Sequence, residues 1–119
     1  MSPTEQDAAY LWDMLAAAQA VQRFVGSRDL TSYLSDDLLQ AAVERKIEII
    51  GEAARKVSTD FQKAHPEVPW SKIMRQRNVL AHDYGRIEHD RLWTVINDHI
   101  PELILDLQCL LPPEEGMEE

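Results

Sequence analysis

Four polar side chains close together in the sequence could carry out proton transfer beside a bound anion. Arg77, Asn78, His82 and Tyr84 lie between positions 77 and 84. An imidazole changes protonation near neutral pH and can act as a general acid or base. A guanidinium can hold an anion through paired hydrogen bonds and can stabilise charge in a transition state. This segment is therefore the first candidate site of the sequence.

The spacing predicts that these side chains lie on one helix, from Trp70 to about Asp83. One face of this helix is formed by residues at steps of three and four, namely Trp70, Ile73, Arg77, Leu80 and Tyr84. A guanidinium in the middle of an apolar face needs a charged partner, a cleft or an interface. Simpler explanations exist for each residue alone: Arg77 could pair with an acid on another helix, and His82 could be a satisfied core or capping residue.

The five-residue step from Arg77 to His82 limits how these two side chains could act on the same substrate. On an ideal helix, the two side chains point about 140° apart. They therefore do not converge on one substrate atom from a single intact helix. Two copies of the chain related by a two-fold axis could bring them together, and so could fraying of the helix near His82. The spacing favours a dimer if the pair works together.

The rest of the sequence predicts an all-α fold, an up-down bundle of four main helices plus short helical turns. We expect the first helix to be capped by Ser2 and to end at Gly26, and the second to open at Asp36 and Asp37. The second helix carries apolar residues at helical spacing: Leu38, Leu39, Ala42, Val43, Ile47 and Ile50. Short turns are expected at residues 30–34 and after a cap at Ser58. The last helix starts near residue 88, and Pro101 should kink or break it near His99.

Composition limits the classes of protein and partner. The chain has 119 residues, 12 basic and 21 acidic, a net charge of −9 and one cysteine. We expect one domain over residues 1–111 and a disordered acidic tail over residues 112–119. The lone Cys109 is expected in the core, and a reducing, cytoplasmic location follows from it. No apolar run is long enough to span a membrane, so no membrane partner is expected.

Charge is distributed unevenly along the chain. Residues 70–86 contain four basic residues and one aspartate, a net charge of +3, whereas the segments on either side are acidic. The acidic total argues against general binding of nucleic acid. Any contact with a polyanion is therefore restricted to the segment that contains Arg77 and His82.

The residues in this segment resemble a known motif. Residues 77–84, Arg-Asn-Val-Leu-Ala-His-Asp-Tyr, are similar to the Arg-x4-His-x-Tyr motif of HEPN domains, specifically of the HepT-like branch. The similarity continues in the second helix over residues 42–54, in the Pro-Trp lead-in over residues 69–74, and in residues 93–103 with their internal proline. The resemblance thus covers nearly the whole chain except the acidic tail, and it implies a HEPN-like fold.

The resemblance also implies a function. Proteins of this branch are small helical homodimers that act as toxins of toxin–antitoxin pairs, and their partner is a minimal nucleotidyltransferase antitoxin. Many are metal-independent endoribonucleases with a composite site at the dimer interface, and no cofactor is implied. By this resemblance Arg77 and His82 are the catalytic pair, and Tyr84 accepts AMP from the partner, which silences the toxin. The residue type of Asn78 suits a substrate-orienting role, in which it positions the sugar or one of the catalytic groups.

Two other interpretations are compatible with the sequence. In the first, the chain is a catalytically silent dimeric interaction module that docks and regulates a nucleotidyltransferase, and the motif serves assembly and AMP acceptance. In the second, the chain is a structural bundle without a site. The second is the weaker, because it leaves Arg77 on an apolar face unexplained.

Overall fold

The computed structural model describes the backbone of residues 2–75 and 89–111 and the side chains of residues 2–75 and 91–111. Within these ranges every regular element is helical. The elements are α1 (Glu5–Val25), α2 (Leu30–Leu34), α3 (Asp37–Lys56), α4 (Thr59–Ala64), the first turns of α5 (residues 70–75), α6 (His89–Thr94), a π-helical turn (Val95–His99) and α7 (Ile100–Leu110). The all-α fold class is confirmed. The up-down order of four main helices, the extent of α5 and the disordered tail over residues 112–119 stay predictions.

The core lies between α1, α3 and α7. Helix α1 packs against α3 and also contacts α7. Both α1 and α3 bury small residues, including Ala17 and Ala18 on α1 and Gly51 and Ala54 on α3. Small side chains at a helix–helix contact let the two axes approach closely.

Local sequence signals set most of the helix ends. Asp36 caps α3, as predicted, because its Oδ1 accepts a hydrogen bond from the amide of Leu39 at 3.0 Å. Ser58 caps α4 in the same way through the amide of Phe61. Gly26 ends α1, as predicted, with a positive φ of 56° that favours glycine.

The start of α1 differs from the prediction. The cap is Thr4, whose Oγ1 accepts a hydrogen bond from the amide of Asp7 at 3.1 Å. Ser2 and Pro3 therefore both lie before the helix. Threonine is itself a favourable cap residue, so the serine signal two positions earlier is redundant.

A buried carboxylate joins the start of α1 to the start of α4. Asp7 is only 4% exposed. Its Oδ1 accepts a hydrogen bond from the amide of Ser58 at 2.9 Å, and its Oδ2 accepts one from the hydroxyl of Ser58 at 2.6 Å. Because Ser58 also caps α4, a single side chain from α1 holds the joint between α3 and α4.

The last helical region is interrupted, as predicted, close to Pro101. The amide of Ile100 donates to the carbonyl of Val95, a five-residue step, and Pro101 follows in the first turn of α7. Proline has no amide hydrogen, so the carbonyl of Asn97 receives no regular helical bond from it. The wider π-helical turn is consistent with this missing donor.

The prediction that Cys109 lies in the core is wrong, because its side chain is exposed. Helix α7 buries the face that carries Leu103, Ile104 and Leu107, and Cys109 lies about 200° around the helix from Leu107. Among the described helices, none is sufficiently long and apolar to cross a bilayer.

Candidate functional site

The predicted site residues Arg77, Asn78, His82 and Tyr84 lie outside the described residues. Their roles therefore stay predictions. The structure does describe the chain on both sides of the segment that contains them, and a cleft that lies beside the first turns of α5.

Trp70 anchors the helix that leads into the segment. Its side chain is 6% exposed, and its indole Nε1 donates a hydrogen bond to the carbonyl of His65 at 2.9 Å. The ring also packs edge-on against Phe61, with 6.4 Å between ring centroids. The amide of Ile73 donates to the carbonyl of Pro69, which closes the first turn. The Pro-Trp lead-in recognised in the sequence therefore fixes where α5 begins and in which direction it starts.

A second tryptophan holds the chain after the segment. Trp93 on α6 is half-buried, and its ring lies 5.3 Å from that of Tyr33 on α2. Tyr33 is fully buried, and its burial, followed by the negative charge of Glu44, raises its pKa to about 12. Residues 76–88 thus connect two regions that are each tied to the core by a tryptophan.

One contact links the first turns of α5 to the π-helical turn. Nζ of Lys72 lies 3.1 Å from Nε2 of His99. An ammonium has only donors, so Nε2 of His99 is the acceptor of this hydrogen bond. No local sequence pattern indicates this pair, because the two residues are 27 positions apart. The sequence shows only that Lys72 lies in the basic segment and that His99 lies two residues before Pro101.

A cleft of about 300 Å³ lies between α3, the loop before α5, and α7. Its walls are mostly apolar and carry charged groups at the edge. The apolar lining is Ile47, Ile50, Pro69, Ile73, Val95, Ile100 and Leu103, and the polar lining is Glu67, Lys72, His99, Glu102 and Asp106. We call this the α7 cleft.

The carboxylates of the α7 cleft influence one another. Partial burial, then the negative charges of Glu67 and Glu102, raise the pKa of Asp106. The pKa of Glu67 is lowered, first by a hydrogen bond from its own backbone amide and also by one from His65 at 3.2 Å. Asp106 and Glu102 lie one turn apart on α7, where like charges repel. This end of the cleft therefore attracts positively charged groups.

Within the described residues, no group of three or more His, Cys, Asp or Glu side chains is placed to bind a metal ion. The α7 cleft can consequently offer charge complementarity and an apolar wall, but its described side chains do not form a coordination sphere.

Comparisons with known proteins give the chain a family. The family described as "Ribonuclease HepT-like" matches residues 14–110. "Putative RNase MJ1380" of Methanocaldococcus jannaschii is 35% identical over 102 residues, which is 86% of this chain and 94% of that protein. "Probable ribonuclease HepT" of Thermococcus cleftensis is 36% identical over 94 residues, 79% of this chain and 86% of that protein. No solved structure is significantly similar to the chain.

These matches confirm the resemblance seen in the motif. The matched region contains the whole segment from Arg77 to Tyr84, both anchoring tryptophans and the α7 cleft. The chain belongs to the HepT-like ribonuclease family.

Proposed function

We propose that the chain is the toxin of a toxin–antitoxin pair and a metal-independent endoribonuclease that acts as a homodimer. The observation that carries this proposal is the family match over residues 14–110, which contains the Arg-x4-His-x-Tyr segment without a departure at the motif positions. The relatives' names support ribonuclease activity. We propose that this activity takes place in the cytoplasm. RNA is present there, and a lone cysteine fits its reducing environment.

RNA carries its own nucleophile, so the reaction needs no metal-bound water. In the proposed step, His82 removes a proton from a ribose 2′-hydroxyl, and the oxygen attacks the adjacent phosphorus. The bond from phosphorus to the 5′-oxygen breaks, and that oxygen takes up a proton from water. The products are a 2′,3′-cyclic phosphate and a 5′-hydroxyl. Arg77 holds the phosphate oxygens and stabilises the added charge, and Asn78 orients the sugar or one of these groups.

The dimer follows from helix geometry. On an ideal helix, a five-residue step separates two side chains by about 140°, so we propose that each site takes Arg77 from one protomer and His82 from the other. Pairing two basic segments of net charge +3 would also concentrate positive charge in one cleft of an acidic protein.

The partner that restrains this activity would be a minimal nucleotidyltransferase that transfers AMP to Tyr84. Tyr84 lies two residues from His82, so an attached nucleotide adds bulk and negative charge where an RNA phosphate must bind. This would inactivate the enzyme without a change of fold. Mass spectrometry after incubation with such an enzyme and ATP tests the idea; an unchanged mass, or an adduct that persists in Tyr84→Phe, removes it.

The second candidate function is a silent dimeric module that docks and regulates a nucleotidyltransferase. The net charge of −9 favours a protein partner over RNA and is the observation behind this candidate.

A cleavage assay separates the two functions. Several RNAs, tRNA included, are incubated with the purified chain in EDTA, beside Arg77→Ala and His82→Ala. Arg75→Ala and His89→Ala serve as matched controls, since they remove the same side-chain types nearby. The nuclease predicts cleavage by the unmodified chain and both controls, with loss of about 100-fold or more in each motif variant. No cleavage by the unmodified chain rejects the nuclease and leaves the module.

A further inference from the structure

The α7 cleft has two chemically different ends. Lys72 and His99 meet at one end. Glu102 and Asp106 lie further along α7, and Glu67 faces them from the loop before α5. A step of seven residues from His99 to Asp106 corresponds to about 10 Å along a helix. The cleft is therefore positive at one end and negative at the other.

The two carboxylates that α7 contributes to the negative end have no ion-pair partner among the described side chains. Among the side chains that the structure describes, no lysine, arginine or histidine forms an ion pair with Glu102 or Asp106, whereas Glu67 contacts His65. The negative charges of Glu67 and Glu102 repel the charge of Asp106. A cation placed here would relieve this repulsion.

The floor of the cleft suits the stem of a long basic side chain. Ile47, Ile100 and Leu103 are each no more than 6% exposed and line the cavity beneath the carboxylates. Lysine and arginine pack their methylene groups on apolar surface while their charged ends reach polar groups. A volume of about 300 Å³ is at the lower end of known ligand sites and is larger than an ion requires.

Other occupants fit less well. The described carboxylates are not grouped as a metal-binding set. A nucleic acid would bring phosphates towards three carboxylates and would be repelled.

We propose that the α7 cleft is a docking site for an arginine or lysine side chain presented by a partner protein. The charged end of that side chain meets Glu102 and Asp106, and its stem lies on Ile100 and Leu103. The Lys72 end repels a second cation and so sets the orientation of the bound segment. This interaction does not depend on nuclease activity.

The test uses the full chain labelled with ¹³C at isoleucine and leucine methyl groups. The probes are a capped peptide with one arginine between leucines, the same peptide with citrulline, spermidine, and a short single-stranded RNA. The arginine peptide is expected to shift the methyl signals of Ile100 and Leu103. The citrulline peptide, which is neutral and nearly isosteric, should bind about tenfold or more weakly. The variant Glu102→Gln with Asp106→Asn should lose the arginine preference.

The control variant Asp13→Asn with Asp60→Asn also removes two exposed carboxylates, but away from the cleft, and it should bind like the unmodified chain. Both variants keep side-chain shape, and their amide spectra report folding directly. The proposal is overturned if arginine and citrulline peptides bind equally or if the cleft variant keeps the arginine preference. It is also overturned if spermidine or RNA shifts these methyl signals and the arginine peptide does not.

Discussion

Nζ of Lys72 and Nε2 of His99 lie 3.1 Å apart and connect the first turns of α5 to the last residue of the π-helical turn. The contact spans the α7 cleft at its positive end. It therefore couples the helix that leads into the predicted catalytic segment to the irregular part of the last helical region.

We expect this contact to contribute measurably to stability. In a double-mutant cycle of Lys72→Met and His99→Leu, urea denaturation should give a coupling free energy of about 0.5–1 kcal/mol, because the pair is only partly buried. The pair Lys63→Met and His99→Leu is the matched control and should be additive. Additive effects at Lys72 and His99 would show that the contact does not persist in solution.

The buried link between Asp7 and Ser58 should matter more for stability. Asp7→Ala leaves the amide and the hydroxyl of Ser58 without their acceptor, at a cost of about 2–4 kcal/mol in the free energy of unfolding. Ser58→Ala removes the cap of α4 and one of these bonds, so the two substitutions should be less than additive. Thermal and urea unfolding measure both. The exposed Asp13→Ala is the control, and an equal loss there would contradict the assignment.

The raised pKa of Asp106 predicts a pH-dependent effect on stability. A carboxyl whose pKa is higher in the folded protein than in the unfolded chain favours unfolding once it is ionised. The loss of folding free energy is therefore absent at low pH, where the carboxyl is protonated in both states. It develops as the pH rises through the shifted pKa. Asp106→Asn should therefore stabilise the protein at pH 7 by a few tenths of a kcal/mol, since the group is mostly solvated. The gain should vanish near pH 3.

Urea denaturation at both pH values checks this sign. Asp98→Asn, on an exposed residue of the π-helical turn, is the control and should change little at either pH. Destabilisation of the Asp106 variant at pH 7 would mean that the carboxylate has a cationic partner.

Trp70 should affect stability and the proposed activity together. Trp70→Phe keeps an aromatic ring but removes the Nε1 donor to the carbonyl of His65, at a cost of about 1 kcal/mol. Because α5 starts at this residue, we expect RNA cleavage to fall several-fold under conditions where the variant is fully folded. Trp12→Phe, on a half-buried residue of α1, is the control. Unchanged cleavage in Trp70→Phe would show that the anchor does not position the motif.

Features encoded by a few adjacent residues could be predicted from the sequence. The caps at Asp36 and Ser58, the end of α1 at Gly26 and the interruption before Pro101 depend on local hydrogen-bonding capacity. Where two nearby residues are equally suited to one position, the sequence does not show which of them occupies it in the structure. Ser2 and Thr4 are both good caps. Leu38 and Leu39 both fit the helical pattern, but Leu39 is 6% exposed and Leu38 is 81% exposed.

Features that need distant residues could not be predicted. Asp7 and Ser58 are 51 positions apart, and no local pattern shows that one accepts hydrogen bonds from the other. The α7 cleft depends on the relative placement of α3, a loop and α7. The catalytic assignment of Arg77 and His82 came from resemblance to a family motif, because residue types and spacing alone also allowed a structural role.

Mixing two inactive variants tests the central claim most directly. Arg77→Ala and His82→Ala are purified separately, shown to be inactive on RNA in EDTA, and then combined under conditions that allow protomers to exchange. In a composite site, each mixed dimer regains one intact site, so random exchange should restore about a quarter of the cleavage rate of the unmodified chain. No recovery in a mixture shown by native mass spectrometry to contain mixed dimers would contradict a site shared between protomers.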